Sequence, residues 1–189
     1  MPDWPEARRN LHAAWRLAHG EAAAMGQFDV TADGFYRSFA VWVFVIPVQI
    51  LLVLAIAEPG RGDALGLALA EALLFLVAWI LYAVAAALLL QQTGRGRSFA
   101  GFMIAYNWAQ ALLTLVVVPI FLLLALGGLN TGLAALLYWL LQLAIVAYIG
   151  VVARAATGAG IAICLALALL DQVVFRLVFA AGQDLLLGG

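Results

Sequence analysis

Long apolar segments and short polar connections alternate along this chain of 189 residues. Each apolar segment has about 20 or more residues, the length an α-helix needs to cross the ~30 Å hydrocarbon core of a bilayer. The pattern therefore predicts an all-α fold, a polytopic membrane bundle of five transmembrane helices within residues 38–189. The five predicted spans cover about 38–57, 65–92, 99–126, 133–153 and 159–182.

Residues 1–37 show a different pattern and predict a cytoplasmic amphipathic helix followed by a linker. The helix is expected over residues 3–25, with Asp3 as its N-cap and Gly26 at its end. Arg9 and Arg16 lie nearly opposite an apolar stripe. The stripe consists of Trp4, Ala7, Leu11, Trp15, Ala18, Ala22 and Met25. Two interpretations stay open: the helix lies on an anionic membrane surface, or it docks onto the protein's own cytoplasmic loops.

The first span is interpreted as a retained anchor, because it is too long for a cleaved signal peptide. Pro47 lies in its middle and predicts a kink. The tetrapeptide Arg-Ser-Phe-Ala begins at Arg37, before the first span, and again at Arg97, before the third. A duplicated helical hairpin is one interpretation of this echo, and chance similarity between apolar sequences is the other.

Composition supports the membrane interpretation. The chain is 67% hydrophobic and 10% charged, with a mean hydropathy of +1.11, which lies outside the range of soluble globular domains. The net charge of −1 gives no support for a nucleic-acid partner. The single cysteine, Cys164, excludes an internal disulfide and a cysteine-based metal site, and its apolar surroundings favour a packing role.

The arginines predict the orientation of the spans. Arg61 alone falls in a connection on the side opposite the N-terminus, and Arg176 falls within the fifth span. The seven on the N-terminal side are Arg8, Arg9, Arg16, Arg37, Arg95, Arg97 and Arg154. This asymmetry predicts a multi-pass protein of a bacterial inner membrane, with a cytoplasmic N-terminus and a periplasmic C-terminus.

No set of residues in the chain indicates catalysis. The sequence contains no nucleophile–base–acid set, zinc-protease motif or glycine-rich nucleotide motif, so neither an enzyme nor a cofactor is expected. His12 and His19 are two helical turns apart, about 10 Å, and cannot share one metal ion.

Polar residues within the spans are the candidate functional residues. Gln49, Gln110, Gln142 and Asp171 are expected near the bilayer midplane, and Asn107 lies in the polar first part of the third span. Polar groups in a membrane bundle usually bond to one another. This layer therefore either fixes the register of the helices or lines a path for an ion, a proton or a solute.

Two charged residues nearer the distal ends of their spans form a separate prediction. Glu71 lies about six residues inside the second span, and Arg176 about six residues from the end of the fifth, so their depths agree. We predict that these two spans touch and that Glu71 pairs with Arg176. The alternative is that Arg176 extends alone to the lipid headgroups.

The segments at residues 33–39 (Asp-Gly-Phe-Tyr-Arg-Ser-Phe) and 105–108 (Ala-Tyr-Asn-Trp), with the five-span topology, carry a family resemblance. The chain resembles bacterial Yip1-like membrane proteins and related inner-membrane families. Eukaryotic relatives of that family are similar to membrane-trafficking adaptors for small GTPases. The resemblance implies the topology and transfers no site residue.

Two functions are compatible with these features. The first is a non-enzymatic structural or accessory protein that engages the lipid bilayer or another membrane protein. The second is a small transporter or channel subunit with Asp171 in its path. It would require a homo-oligomer, because five helices with few polar residues leave little room for a pore.

Overall fold

The computed structural model describes residues 2–56, 63–125 and 131–187. Within these residues the chain forms helices joined by short turns and contains no strand. Two short 3₁₀ helices, Ala22–Gln27 and Gly96–Ser98, connect longer elements. The α-helices are α1 (Trp4–Ala18), α2 (Ala32–Ser38), α3 (Val41–Ile56), α4 (Ala64–Gln92), α5 (Phe99–Ala125), α6 (Thr131–Thr157) and α7 (Ile161–Leu187).

Among the described residues, five segments are long and apolar enough to cross a membrane, as the hydrophobic pattern predicts. Helices α4 and α5 follow the predicted spans closely. Helices α6 and α7 are longer than predicted, so that Arg154 lies in the last turn of α6 and Asp184 lies within α7. Helix α6 ends beside Gly158, whose φ of +61° is left-handed. The predicted turns at 58–62 and 127–130 and the tail at 188–189 lie outside the described residues.

The N-terminal helix begins as predicted but ends earlier. The Asp3 side chain accepts a hydrogen bond of 2.8 Å from the backbone N–H of Glu6. The helix stops at Ala18 because Gly20 adopts a φ of +80°, so the prediction of a helix to residue 25, ended by Gly26, is wrong. The predicted linker also contains the start of α2, which Thr31 caps through a bond from the Gly34 N–H.

A short non-helical break lies at the start of the first predicted span. Helix α2 ends at Ser38, two residues without helical assignment follow, and α3 then continues through Pro47 to Ile56. Pro47 stays inside α3, where its ring leaves one backbone carbonyl without its usual helical donor. The short helix α2 therefore belongs with the segment before the membrane domain as much as with the first span.

Helix α1 docks onto the bundle. It packs against α5 and α6, and the Tyr148 hydroxyl donates a 2.8 Å hydrogen bond to the Ala14 carbonyl. The buried face of α1 contains Asn10, Ala13, Ala14 and Leu17. Helix α1 therefore docks onto the protein itself, but onto the long helices α5 and α6 and not onto the cytoplasmic loops that one of the two open interpretations named. The predicted apolar stripe is a neighbouring face, on which Trp4 and Trp15 stay 75% and 51% exposed.

The five long helices form a closed circular bundle. Each packs against two neighbours, in the order α3–α4–α7–α6–α5 and back to α3. The predicted contact between the second and fifth spans is therefore confirmed, as α4 against α7. Helices α4 and α5 also meet at the centre, where the rings of Tyr82 and Tyr106 lie 4.6 Å apart.

The bundle is packed unevenly along its axis. We refer to the end that carries α1 as the N-terminal end and to the other as the distal end. In the half near the N-terminal end, residues 102–109 of α5 are all buried, because α1 and α2 cover the side that the other long helices leave open. At the centre of this half, Trp79, Tyr82, Phe102 and Tyr106 form a cluster that we call the aromatic plug.

An ion-pair network holds the N-terminal segments together. Arg37 contacts Glu6 of α1 at 3.1 Å and Asp29 at 2.6 Å. Hydrogen bonds from the side chain and backbone of Thr31 lower the pKa of Asp29 below its usual value of 3.8, and Arg37 contributes to this shift. The same turn brings Gly34 against the backbone carbonyl of Asp29, where no side chain fits.

Replacing Gly34 with alanine should therefore destabilise the fold. The added Cβ would collide with the Asp29 backbone, and such overpacking typically costs about 1–3 kcal/mol. Denaturant unfolding of purified protein in detergent micelles would measure the change. Gly26→Ala is the matched control, since a Cβ at Gly26 meets no atom within 4 Å. Equal stability of the two variants would contradict the close approach.

Asp29 should also make stability depend on pH. Its pKa is lowered in the folded state, so its contribution is present above about 3.8 and is lost as the pH falls through the lower, folded-state value. Asp29→Asn should lower the melting temperature at pH 7, and the difference from wild type should shrink near pH 3. A difference that is constant with pH would mean that the charge of Asp29 plays no part.

Candidate functional site

A central cavity of about 470 Å³ lies inside the circular bundle, in its distal half. All five long helices contribute to its wall, and it is partly open. Most of the wall is aliphatic and aromatic, with Leu52, Val117 and Phe179 as examples. The polar side chains that line it are Gln49, Gln110, Thr114, Tyr138, Gln142, Asp171 and Gln172.

The structure brings together four of the predicted polar residues. Gln49, Gln110, Gln142 and Asp171 come from four different helices and all line this one cavity. Asn107 does not join them. It is fully buried nearer the N-terminal end, where its Oδ1 accepts from the Trp79 indole N–H at 3.0 Å and its amide donates to the Ser38 hydroxyl at 2.9 Å.

Asp171 stands at the centre of a hydrogen-bond chain. Its Oδ1 accepts a 2.5 Å bond from the Tyr106 hydroxyl, and its Oδ2 accepts a 3.0 Å bond from the Gln172 amide. The Gln172 Oε1 in turn accepts a bond of 3.1 Å from the Gln142 amide. Asp171 is only 3% exposed, so its carboxyl orients Tyr106 and Gln172, while the partly exposed amides present the polar surface of the cavity.

The aromatic plug closes the N-terminal side of the cavity. Tyr106 belongs both to the plug and to the hydrogen-bond chain of Asp171. Tyr82, beside it, donates a 3.2 Å bond to the Leu167 carbonyl on α7. Both tyrosines and Trp79 are fully buried, so the plug is a packed aromatic layer behind the cavity wall and is bonded to it through Asp171.

The predicted pair between Glu71 and Arg176 is wrong. No ion pair within 4.0 Å joins them in the described part of the chain, and Arg176 is exposed. The rings of Phe75 and Phe175 meet edge to face, with centroids 5.2 Å apart, and show how α4 and α7 face each other. Arg176 directly follows Phe175, so its side chain points about 100° away from that contact. Glu71 precedes Phe75 by about one turn, so it lies level with a residue about one turn beyond Phe175 on α7.

Metal-binding groups do not assemble in the residues that the structure describes. No group of three or more His, Cys, Asp or Glu side chains is arranged to hold a metal ion there. His12 lies on α1 and His19 directly follows it, where the His19 ring is hydrogen-bonded to the Trp15 carbonyl. Cys164 is buried, in agreement with a packing role, with its sulfur 3.5 Å from the Ala159 carbonyl.

Sequence reasoning missed three members of the site. Tyr106 is not among the predicted polar residues, yet it supplies the bond to Asp171 that crosses between helices. Gln172 and Tyr138 were not considered, although both lie at depths similar to the predicted polar layer. Counting every polar residue by depth would have found them, but not their partners.

By length and composition of its helices, the chain has the architecture of a multi-pass membrane protein. Comparisons with family models, with curated proteins and with solved structures give no match. The function is therefore inferred from the cavity, its hydrogen bonds and the distribution of charge.

The bond between Tyr106 and Asp171 should be visible as coupling in stability. Tyr106→Phe leaves a buried carboxyl oxygen without its donor, at a cost of about 1–3 kcal/mol. Asp171→Ala should also destabilise, and the double variant should lose less than the sum. Unfolding in detergent micelles would measure all three.

Tyr138→Phe is the matched control for that cycle. Tyr138 also lines the cavity but makes no hydrogen bond through its hydroxyl in the described structure, so its loss should be nearly neutral. Strictly additive losses at Tyr106 and Asp171 would contradict a bond between them.

Proposed function

We propose that this chain is a non-enzymatic multi-pass inner-membrane protein that binds a small amphipathic solute in its central cavity, as a binding or transport protein does. The observation that carries the proposal is the placement of the polar residues. Gln110, Gln142 and Asp171 lie deep in the cavity, while most of the wall towards the distal end is apolar. Its volume of about 470 Å³ is within the usual range of small-molecule sites.

The lining favours a solute with a neutral polar head. Asp171 is the only charged side chain among the described residues that line the cavity, and both of its oxygens already accept hydrogen bonds. The partly exposed amides of Gln49, Gln110 and Gln142 offer both donors and acceptors. An amide or hydroxyl head would bond to these groups, and an alkyl or aromatic body would fill the remaining space.

The distribution of arginines supports an orientation of the central cavity relative to the two sides of the membrane. The arginines of the loops near the N-terminal end favour a cytoplasmic location for that end. Arg95 belongs to this set and bonds to the Thr157 carbonyl, which brings two of these loops together. In this orientation the cavity lies in the periplasmic half of the bilayer, and the aromatic plug separates it from the cytoplasm.

A second candidate function is an accessory protein, and the exposed aromatic residues at the N-terminal end favour it. Trp4, Trp15 and Tyr36 are 75%, 51% and 73% exposed. Such a surface suits a contact with lipid or with another membrane protein. The two functions use opposite ends of the bundle, so one does not exclude the other.

A photoreactive octanamide that carries a diazirine on its alkyl chain would test the cavity. With the protein in lipid nanodiscs, we expect labelling of cavity residues that excess octanamide suppresses. Gln142→Leu removes one amide and should reduce the suppressible labelling about fivefold, as the loss of one hydrogen bond predicts. The charged analogues octylammonium and octanoate should compete less well.

Gln183→Leu is the matched control, since Gln183 is exposed on α7 and does not line the cavity. Its labelling should equal that of wild type. Labelling restricted to the lipid-facing surface, or equal in wild type and Gln142→Leu, would rule out the proposed site.

A further inference from the structure

A second, separate groove of about 360 Å³ lies between α1, α3 and α5. It shares no lining residue with the central cavity, and its wall is almost entirely apolar. Ala7 and Leu11 line it from α1, Phe44 from α3, and Ala111 and Leu115 from α5. Phe44 and Leu115 are 43% and 49% exposed, so the groove is continuous with the outer apolar surface of the bundle.

The groove exists because α1 docks through a different face. Asn10, Ala14 and Leu17 hold α1 against the bundle, and the bond from Tyr148 to Ala14 fixes it there. Ala7 and Leu11 lie on the adjoining face, about 60–100° round the helix. They therefore overhang the space beside α3 and α5, where the short side chain of Ala111 leaves room.

Arg8 is a cation without an acidic partner among the described residues, and it lies at the rim of this groove. Arg8 follows Trp4 by one helical turn, so the two side chains neighbour each other on the helix surface. Arg8 is exposed and makes no ion pair in the part of the chain that the structure describes. Arg16 and Arg37, in contrast, are paired with acidic side chains.

We propose that the groove binds one anionic phospholipid, with an acyl chain along Leu11 and Phe44 and its phosphate at Arg8. Both parts of the site require an occupant of this kind. A soluble anion would leave the apolar groove empty, and an uncharged hydrocarbon would leave Arg8 without a partner. Trp4, 75% exposed beside the groove, is typical of side chains at the level of lipid headgroups.

The location of the site agrees with this occupant. The groove lies at the N-terminal end, which the arginines of the loops favour as cytoplasmic, and the surface potential of a cytoplasmic leaflet is negative. The exposed faces of α3 and α5 allow the lipid to enter from the bilayer. Helix α1 would then cover the acyl chain of this lipid and present its basic face to the lipid headgroups.

Native mass spectrometry of the whole chain, released from micelles that contain phosphatidylglycerol or phosphatidylcholine with identical acyl chains, would test this site. We expect wild type to retain one phosphatidylglycerol with about a fivefold preference over phosphatidylcholine, as one arginine near a phosphate predicts. Arg8→Gln should abolish the preference. Ala7→Phe fills the groove and should abolish retention of both lipids.

Two controls separate the groove from general lipid contact. Arg154→Gln removes a cation at the end of α6, and Ala147→Phe adds a ring at an exposed position of α6; both should behave as wild type. Arg8 is exposed, so Arg8→Gln keeps the test decisive even if Ala7→Phe fails to fold. Equal retention of the two lipids by wild type, no retained lipid, or an unchanged preference in Arg8→Gln would overturn the proposal.

Discussion

The hydrogen bonds of Asp171 are the constraint on which the centre of this bundle depends. A carboxyl in hydrocarbon is costly unless its oxygens have donors, and here those donors are Tyr106 and Gln172. The bond from Tyr106 joins α5 to α7, and the bond from Gln142 to Gln172 joins α6 to α7. Three helices are therefore held in one register at one depth. The aromatic plug and the cavity both take their positions from this layer.

The unequal packing of the two halves follows from which side chains stand on each side of that layer. Towards the N-terminal end, Trp79, Tyr82 and Phe102 fill the centre, and alanines such as Ala86 and Ala105 let the helices approach closely. Beyond the layer, the central residues are aliphatic and aromatic chains that reach only part of the way across. The remaining space is the cavity, with its polar groups at the inner end.

The spans and the polar layer could be predicted from the sequence, because apolar length and depth along a helix are one-dimensional quantities. The pairing of particular side chains across helices could not be predicted, although the contact between the second and fifth spans was predicted correctly. Glu71 and Arg176 have matching depths from the ends of their predicted spans, but the edge-to-face contact of Phe75 with Phe175 shows a register that separates them by about one turn. Likewise, nothing in the local pattern decides whether Gly20 or Gly26 ends α1; only Gly20 adopts the left-handed conformation that stops it.

The orientation of α1 shows why the most apolar face of a helix is not always its contact face. Association inside a membrane depends on close packing and hydrogen bonds, since lipid tails satisfy large apolar side chains equally well. Ala13 and Ala14 allow the backbone of α1 to approach α5 and α6, and the Tyr148 hydroxyl reaches the Ala14 carbonyl as a result. The larger side chains of Trp4 and Trp15 stay exposed on the adjoining face of the same helix.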